Sequence, residues 1–212
     1  MNRIRISEMH YDQLREHLFP GDGKEAVAIA LCGRSNNGEN TTLLVQDVLL
    51  IPYESCYERK PDFVYWPTNL IDDFVERAAK NNLGILKIHC HPGGFDKFSQ
   101  IDTDSDIKLF TSIHAWVDGE LPHASCIMLP DGRIFGRFFT VNMHEEIVHQ
   151  ISVAGSDIHN WYYGENNTMN EELHIRNMQV FGKKTIAILN KMRVGVVGFE
   201  GSVIVYSSVL LP

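Results

Sequence analysis

The most informative part of the sequence is the run Ile85-Leu86-Lys87-Ile88-His89-Cys90-His91-Pro92-Gly93-Gly94-Phe95-Asp96-Lys97-Phe98-Ser99-Gln100-Ile101-Asp102. Residues 85–91 are mostly apolar and stop at a proline and two glycines, which predicts a strand that ends in a turn. Successive side chains of a strand point to opposite faces, so His89 and His91 share one face and Cys90 faces the other. The pattern therefore places two imidazoles side by side at the end of a strand.

Two neutral imidazoles and one carboxylate form an open zinc site that leaves a position for water. Asp102 is the candidate third ligand, at the start of the next predicted helix, and Asp104 is its rival. Zinc lowers the pKa of a bound water to about 7, and a carboxylate outside the metal shell is the usual general base. Ser99 could stabilise an oxyanion, or it could only cap the helix.

The rest of the chain alternates between strand and helix patterns without a regular repeat, which predicts an α+β fold. Strands are predicted at Ile4–Ile6, Ala26–Cys32, Thr41–Ile51, Ala124–Leu129 and Ile134–Val141. Helices are predicted at Glu8–Leu18 after Ser7 as N-cap, at 69–81 after Thr68 as N-cap, and from Asp102 to Phe110.

Composition narrows the class of protein. The chain has 212 residues, a formal net charge of −8 and 44% hydrophobic residues. An acidic surface repels phosphate, so we expect no nucleic-acid partner. The N-terminus lacks the apolar segment of a signal peptide, and no apolar run is long enough to cross a bilayer. We therefore expect no membrane partner and a cytoplasmic location.

None of the cysteines forms a Cys-x-x-Cys pair, which excludes a zinc ribbon.

One known motif reads His-x-His-Pro, six residues, Ser, two residues, Asp, and this chain matches every fixed position of it with His89, His91, Pro92, Ser99 and Asp102. It is the JAMM motif of the JAB/MPN-domain metalloproteases, and the chain resembles that family over about residues 4–141.

The family also has a glutamate at the edge of an early strand. Glu25 resembles it, since it directly precedes the apolar run that begins at Ala26. Its rivals Glu16, Glu39 and Glu54 do not directly precede a buried strand.

The resemblance implies a JAB/MPN-like, cytidine-deaminase-like α+β fold, with a curved, mostly antiparallel sheet flanked by helices. It implies one Zn²⁺ per chain, held by His89, His91 and Asp102. Glu25 would be the general base and Ser99 would steady the oxyanion. Family members cleave peptide or isopeptide bonds after the C-terminal glycine of ubiquitin-like proteins, and bacterial relatives act on smaller ubiquitin-like or sulfur-carrier proteins.

Three regions are expected along the chain. Residues 1–142 form the metalloprotease domain, and residues 143–170 form a linker or extension, with a short helix over Glu145–Val153. Residues 171–212 resemble a helix followed by the truncated start of a ThiF-like adenylating domain, as in bacterial fusions of the two. Within them, Arg193–Gly198 and Val203–Tyr206 have strand character, and the tail could drive self-association.

Other functions remain open at this point. The chain could be a non-catalytic MPN-type binding module left from such a fusion, or a zinc hydrolase acting on small amino-acid or sulfur-carrier adducts. An adenylating enzyme is disfavoured, because too little chain follows Gly198 for a nucleotide domain. A zinc-dependent nucleobase deaminase needs a Cys-x-x-Cys pair that this sequence lacks.

Overall fold

The computed structural model describes residues 1–38, 40–117, 119–156, 158–164, 194–197 and 203–206. The chain divides into two units, Met1–Gly164 and Glu165–Pro212.

Strands and three α-helices make up the described part of the first unit. The strands are β1 (Arg3–Ser7), β2 (Val27–Asn36), β3 (Thr41–Leu50), β4 (Glu58–Lys60), β5 (Phe63–Tyr65), β6 (Gly84–Cys90), β7 (His123–Met128), β8 (Ile134–Phe139), β9 (Glu145–Ile147), β10 (Gln150–Ala154) and β11 (Ile158–Tyr162). The helices are α1 (Glu8–Leu18), α2 (Asp72–Asn81) and α3 (Gln100–Trp116), and short 3₁₀ helices lie at Tyr53–Ser55 and Thr68–Ile71.

One large sheet organises this unit. Among the described residues it has nine strands in the order β11-β10-β1-β3-β2-β6-β7-β8-β9, and β4 pairs with β5 in a separate hairpin. The β1–β10, β1–β3 and β6–β7 pairs are parallel and the others are antiparallel. The prediction of an α+β fold with a mostly antiparallel sheet flanked by helices is confirmed.

The sheet carries a hydrophobic core on each face, because its central strands are apolar on both sides. In β2, Ala28 and Ala30 pack in the core that includes Leu14 and Leu18 of α1. Val27, Ile29 and Leu31 of the same strand pack in the opposite core, together with Phe74 of α2 and Phe110 of α3. The site described below lies on the side of α2 and α3.

The helix boundaries follow local capping chemistry. As predicted, α1 begins after Ser7, whose hydroxyl accepts a hydrogen bond from the His10 amide at 3.3 Å. The second helix differs from the prediction: Thr68 starts a 3₁₀ helix, and α2 begins only at Asp72. The third helix is longer than predicted and runs to Trp116.

Residues 143–164 form an extension of the first unit and not a linker, which moves the expected domain boundary from residue 142 to residue 164. They belong to the first unit and contain β9, β10 and β11 where a short helix and a loop were expected. Alternate residues Ile151 and Val153 are buried and pair in parallel with Ile4 and Ile6 of β1. Residues two apart lie on the same face of a strand, and burial of this face against β1 overrides any local helical preference.

In the second unit the structure describes two strands, β12 (Val194–Val197) and β13 (Val203–Tyr206), which pair antiparallel. The predicted strand character of both segments is confirmed. The helix predicted within residues 171–212 lies outside the described residues. None of the helices in the described ranges has the length and apolar character needed to cross a lipid bilayer.

His123 makes the stability of the fold sensitive to pH. Its ring is fully buried, accepts a hydrogen bond from the Ile85 amide at 2.9 Å, and lies beside Arg34 and His114. Burial and these cationic neighbours hold its pKa well below the usual value. Below about pH 6.5 the unfolded chain binds a proton at this residue and the folded chain does not. The free energy of unfolding therefore decreases as the pH is lowered.

Below the ordinary pKa of histidine, His123 should lower the free energy of unfolding by at most about 1.4 kcal/mol for each pH unit. Urea unfolding of the wild type and of His123→Asn should be compared between about pH 7.5 and about pH 5.5. The asparagine oxygen can still accept the Ile85 amide proton. We expect the variant to lose about 1 kcal/mol less than the wild type over this range. An equal loss of unfolding free energy in the two proteins would contradict this role of His123.

Candidate metal centre

The two histidines lie where β6 ends. His89 is in the strand and His91 follows it, and both side chains are buried on the side of α2 and α3. The Cys90 thiol lies on the other face, with Sγ 2.8 Å from the Leu18 carbonyl oxygen. Strand alternation thus places the imidazoles together, as predicted.

A tight turn then leads to α3. The Gly94 amide donates to the His91 carbonyl oxygen at 2.9 Å, and Gly94 has a φ of +76°, which a side chain would disfavour. Ser99 is the N-cap of α3 and forms a capping box with Asp102. The Ser99 hydroxyl donates to Asp102 Oδ2 at 2.7 Å and accepts from the Asp102 amide at 3.1 Å. The cap therefore aims the Asp102 carboxylate toward the histidines.

Four side chains meet at this point, and we call Glu25, His89, His91 and Asp102 the metal cluster. The Nε2 atoms of His89 and His91 are 3.2 Å apart. Asp102 Oδ1 lies 3.1 Å from His89 Nε2, and Asp102 Oδ2 lies 3.4 Å from His91 Nε2. Glu25 Oε1 is 3.7 Å from His91 Nε2. All four residues are buried.

Pairing of β2 with β6 brings Glu25 to the cluster. Val27 lies opposite His89 in this antiparallel pair, so continuing the register places Glu25 opposite His91. Its backbone is held from the other side by the β4–β5 hairpin. The Glu25 amide donates to the Lys60 carbonyl oxygen, and Arg59 Nε donates to the Glu25 carbonyl oxygen, each at 2.8 Å.

Burial and mutual charge set the protonation of the cluster. Burial, with a smaller contribution from Asp102, raises the pKa of Glu25 to about 8. Burial also lowers the pKa of His89, which favours a neutral imidazole. For Asp102, burial is outweighed by hydrogen bonds to both histidines, and its pKa is lowered. The pKa of His91 is raised, because its contacts with Asp102 and the Phe95 carbonyl oxygen outweigh burial.

This donor set fits a divalent metal ion. Glu25, His89 and His91 each offer a ligand atom, and these atoms lie within 4.8 Å of one another. Imidazole nitrogen and carboxylate oxygen are ligands that zinc binds in proteins. His91 Nδ1 lies 2.7 Å from the Phe95 carbonyl oxygen, so this nitrogen carries the proton and Nε2 is left with a lone pair. Glu25, His89 and His91 therefore form a group that could hold a metal ion, and the carboxylate oxygens of Asp102 lie 3.1 and 3.4 Å from the two imidazoles.

The rival carboxylates lie elsewhere. Asp104, Glu16 and Glu54 are exposed and do not take part in the cluster, and Glu39 lies outside the described residues.

The sequence analysis did not identify two residues that support the cluster. Arg59 holds the backbone of Glu25, and Lys87 forms a buried ion pair with Asp106. The signal for the second was present, because a lysine inside the apolar strand 85–91 must find a charged partner.

Removing the Ser99 hydroxyl should weaken the start of α3. We expect Ser99→Ala to lower the free energy of unfolding by about 1 kcal/mol, since it removes the side-chain acceptor of the N-cap. Urea unfolding of the metal-free protein measures this loss. Ser99→Thr keeps a hydroxyl and is the matched control, with a much smaller expected effect. Equal stability of the alanine variant and the wild type would contradict this role of the cap.

Comparison with known proteins does not assign a family. No protein-family model matches the sequence, and no curated protein sequence matches it. Among solved structures the chain is similar to the solution structure of protein DSY2949 from Desulfitobacterium hafniense. The sequence identity is 16% and the TM-score 0.47, over 72% of this chain and 94% of that chain. Similarity at this level does not bear on the activity.

Proposed function

We propose that this protein is a zinc-dependent (iso)peptidase with a JAB/MPN-like fold. One observation carries the proposal: the imidazoles of His89 and His91 meet the carboxylates of Asp102 and Glu25 in one buried cluster. The same residues stand at the matching positions of the JAMM motif that the sequence resembles. His89, His91 and Asp102 would hold the zinc ion.

Each residue of the cluster has a chemical role in the proposed reaction. Bound zinc supplies Lewis-acid polarisation of water and of the scissile carbonyl group. Glu25 takes a proton from the attacking water at a carboxylate oxygen and returns it to the leaving nitrogen. A carboxylate beside the metal is the usual general base for this step. Ser99 orients Asp102 through its hydroxyl, and in the proposed reaction the same hydroxyl steadies the oxyanion.

The proposed substrate is the C-terminal tail of a ubiquitin-like or sulfur-carrier protein, bound extended as an added strand. One exposed aromatic side chain lies beside the cluster and two others lie on the hairpin that holds Glu25, where they could pack against such a tail. The ring of Phe95 lies 5.9 Å from that of His91 and is 54% exposed. The rings of Tyr57 and Tyr65 lie 4.9 Å apart at an angle of 43° at the hairpin that holds Glu25, and both side chains are exposed.

The test begins with the zinc content of the purified 212-residue chain. We expect about one zinc per chain by elemental analysis, as a site with three protein ligands binds a single ion. His89→Ala combined with His91→Ala should remove it. His144→Ala combined with His159→Ala is the matched control, because it removes two exposed histidines outside the cluster and should keep the zinc.

Activity is then measured on ubiquitin-like and sulfur-carrier proteins fused through the C-terminal glycine to a reporter protein. Cleavage after the glycine should require zinc and should disappear in the variant that lacks both cluster histidines. A wild-type chain that takes up no zinc even after reconstitution would overturn the hydrolase proposal. It would favour the non-catalytic binding module instead.

A further inference from the structure

A second pair of side chains joins β6 to α3 directly beside the metal cluster. Lys87 precedes His89 by two residues and therefore points to the same face of the strand. Asp106 follows Asp102 by four residues and lies on the same side of the helix. Lys87 Nζ is 2.6 Å from Asp106 Oδ1, and His89 Nε2 is 3.1 Å from Asp102 Oδ1. The strand and the helix are thus linked by two successive polar pairs, and only one of them belongs to the cluster.

Arg137 of β8 ties this pair to its surroundings. Its Nη2 donates to Asp106 Oδ2 at 2.9 Å, and its Nη1 donates to Thr103 Oγ1 at 3.0 Å and to Glu145 Oε2 at 2.9 Å. The guanidinium carbon lies 3.9 Å from the centroid of the Phe98 ring. Arg137 therefore contacts the first turns of α3 and the segment that leads into it.

These charges are deeply buried, with side-chain exposures of 6% for Lys87, 0% for Asp106 and 9% for Arg137. Burying an ion pair carries a large desolvation cost, and replacing such a pair by apolar residues of similar size is often neutral or stabilising. Stability alone is therefore a weak explanation for this network. Apolar packing tolerates small shifts of a helix, whereas short hydrogen bonds between charged groups fix both its rotation and its register.

A metal centre requires that the elements carrying its ligands keep a fixed position relative to one another. Ligands must be held within about 0.5 Å of the binding geometry by the residues that support them. His91 is oriented by the Phe95 carbonyl oxygen, but His89 Nδ1 is buried and has no hydrogen-bond partner within the described part of the chain. The position of Asp102 relative to His89 therefore depends on how α3 lies against β6.

We propose that Lys87, Asp106 and Arg137 are positioning residues of the metal centre, which hold α3 against β6 so that Asp102 meets His89 and His91. This inference rests on the proposed function, because it assigns the residues a role toward the zinc ion of that site. It goes further in predicting that metal affinity and fold stability can be separated by substitutions outside the ligand set.

The deciding variant is Lys87→Met combined with Asp106→Leu, an apolar pair of similar size. Zinc affinity is measured on the 212-residue chain by competition with a chromogenic chelator, and the visible absorption of the Co²⁺-loaded protein reports ligand geometry. We expect the zinc dissociation constant to rise about 10- to 100-fold, as when other residues that orient metal ligands are changed. The Co²⁺ spectrum should change, while the thermal midpoint of the metal-free protein stays close to that of the wild type, because Arg137 keeps its ion pair with Glu145 when Asp106 is replaced.

Two controls test whether a loss of zinc affinity comes from this particular ion pair or from removing an ion pair anywhere in the protein. Glu76→Leu combined with Lys80→Met removes an exposed ion pair of α2 and should keep the wild-type dissociation constant. Lys87→Arg keeps a cation opposite Asp106 and should retain most of the affinity. If the apolar double variant does not fold, Lys87→Met alone replaces it, because Asp106 then keeps Arg137 as a partner. The single variant should bind zinc several-fold more weakly.

The outcomes distinguish the two proposals. If the wild type binds zinc and the variant that replaces Lys87 binds it with the same dissociation constant and Co²⁺ spectrum, the inference is wrong and the proposed function stands. If the wild type itself binds no zinc, the proposed function fails and the inference fails with it.

Discussion

Glu25→Gln is expected to lower kcat about 10²- to 10⁴-fold, the usual contribution of a general acid–base group. The amide has the size of the carboxylate and keeps an oxygen toward His91, but it cannot take a proton from water. Glu25 is buried beside the histidines and its backbone is fixed by Arg59 and Lys60, so the substitution should not disturb the cluster. The measurement is cleavage of the ubiquitin-like reporter fusion by the zinc-loaded variant and wild type.

The role of Glu25 as a base requires that zinc remain bound in this variant. Glu25 lies close enough to the imidazoles to be a ligand itself, so zinc content must be measured together with rate. Asp102→Asn is the matched comparison, since it makes the same chemical change on the carboxylate proposed as a ligand. We expect Asp102→Asn to lose zinc and Glu25→Gln to keep it. The reverse result would exchange the two roles.

The site could be predicted from the sequence to the extent that its parts lie close together in the chain. His89 and His91 follow from strand alternation, and Asp102 follows from the start of the next helix. Glu25 is 64 residues away from His89, and its place depends on the register between β2 and β6. No local pattern determines that register, so Glu25 could be chosen only through the family resemblance.

The same limit explains what the sequence did not predict about the fold. Strand β10 is only five residues long, and its partner β1 lies at the other end of the first unit. Its two buried residues, Ile151 and Val153, are too few to establish a period against the polar residues around them. The network of Lys87, Asp106 and Arg137 likewise joins β6, α3 and β8, which are separate in sequence. Such contacts are visible only once the topology is known.

Phe110→Ala should have the largest effect on stability among the substitutions considered for α3. The ring is fully buried and stacks on Phe139 with 5.0 Å between centroids, and it lies 6.2 Å from the His123 ring. Removing a buried phenylalanine side chain costs about 3–5 kcal/mol, because contacts are lost and a cavity remains. Globular proteins have a total stability of about 5–15 kcal/mol, so the variant should unfold at much lower urea concentration.

Ile101→Ala is the matched control in the same helix, because Ile101 is 58% exposed. Its expected cost is within about 0.5 kcal/mol, as for most surface substitutions, and an equal cost at Phe110 and Ile101 would contradict the packing of α3. The variant that loses most stability should not be the variant that loses most zinc affinity. Phe110 lies two turns beyond Asp102, so the folded Phe110→Ala protein should bind zinc with nearly the wild-type dissociation constant. The variant that lacks Lys87 and Asp106 should keep its stability and lose affinity. Helix α3 would then be stabilised by its apolar contacts and aligned by its charged ones.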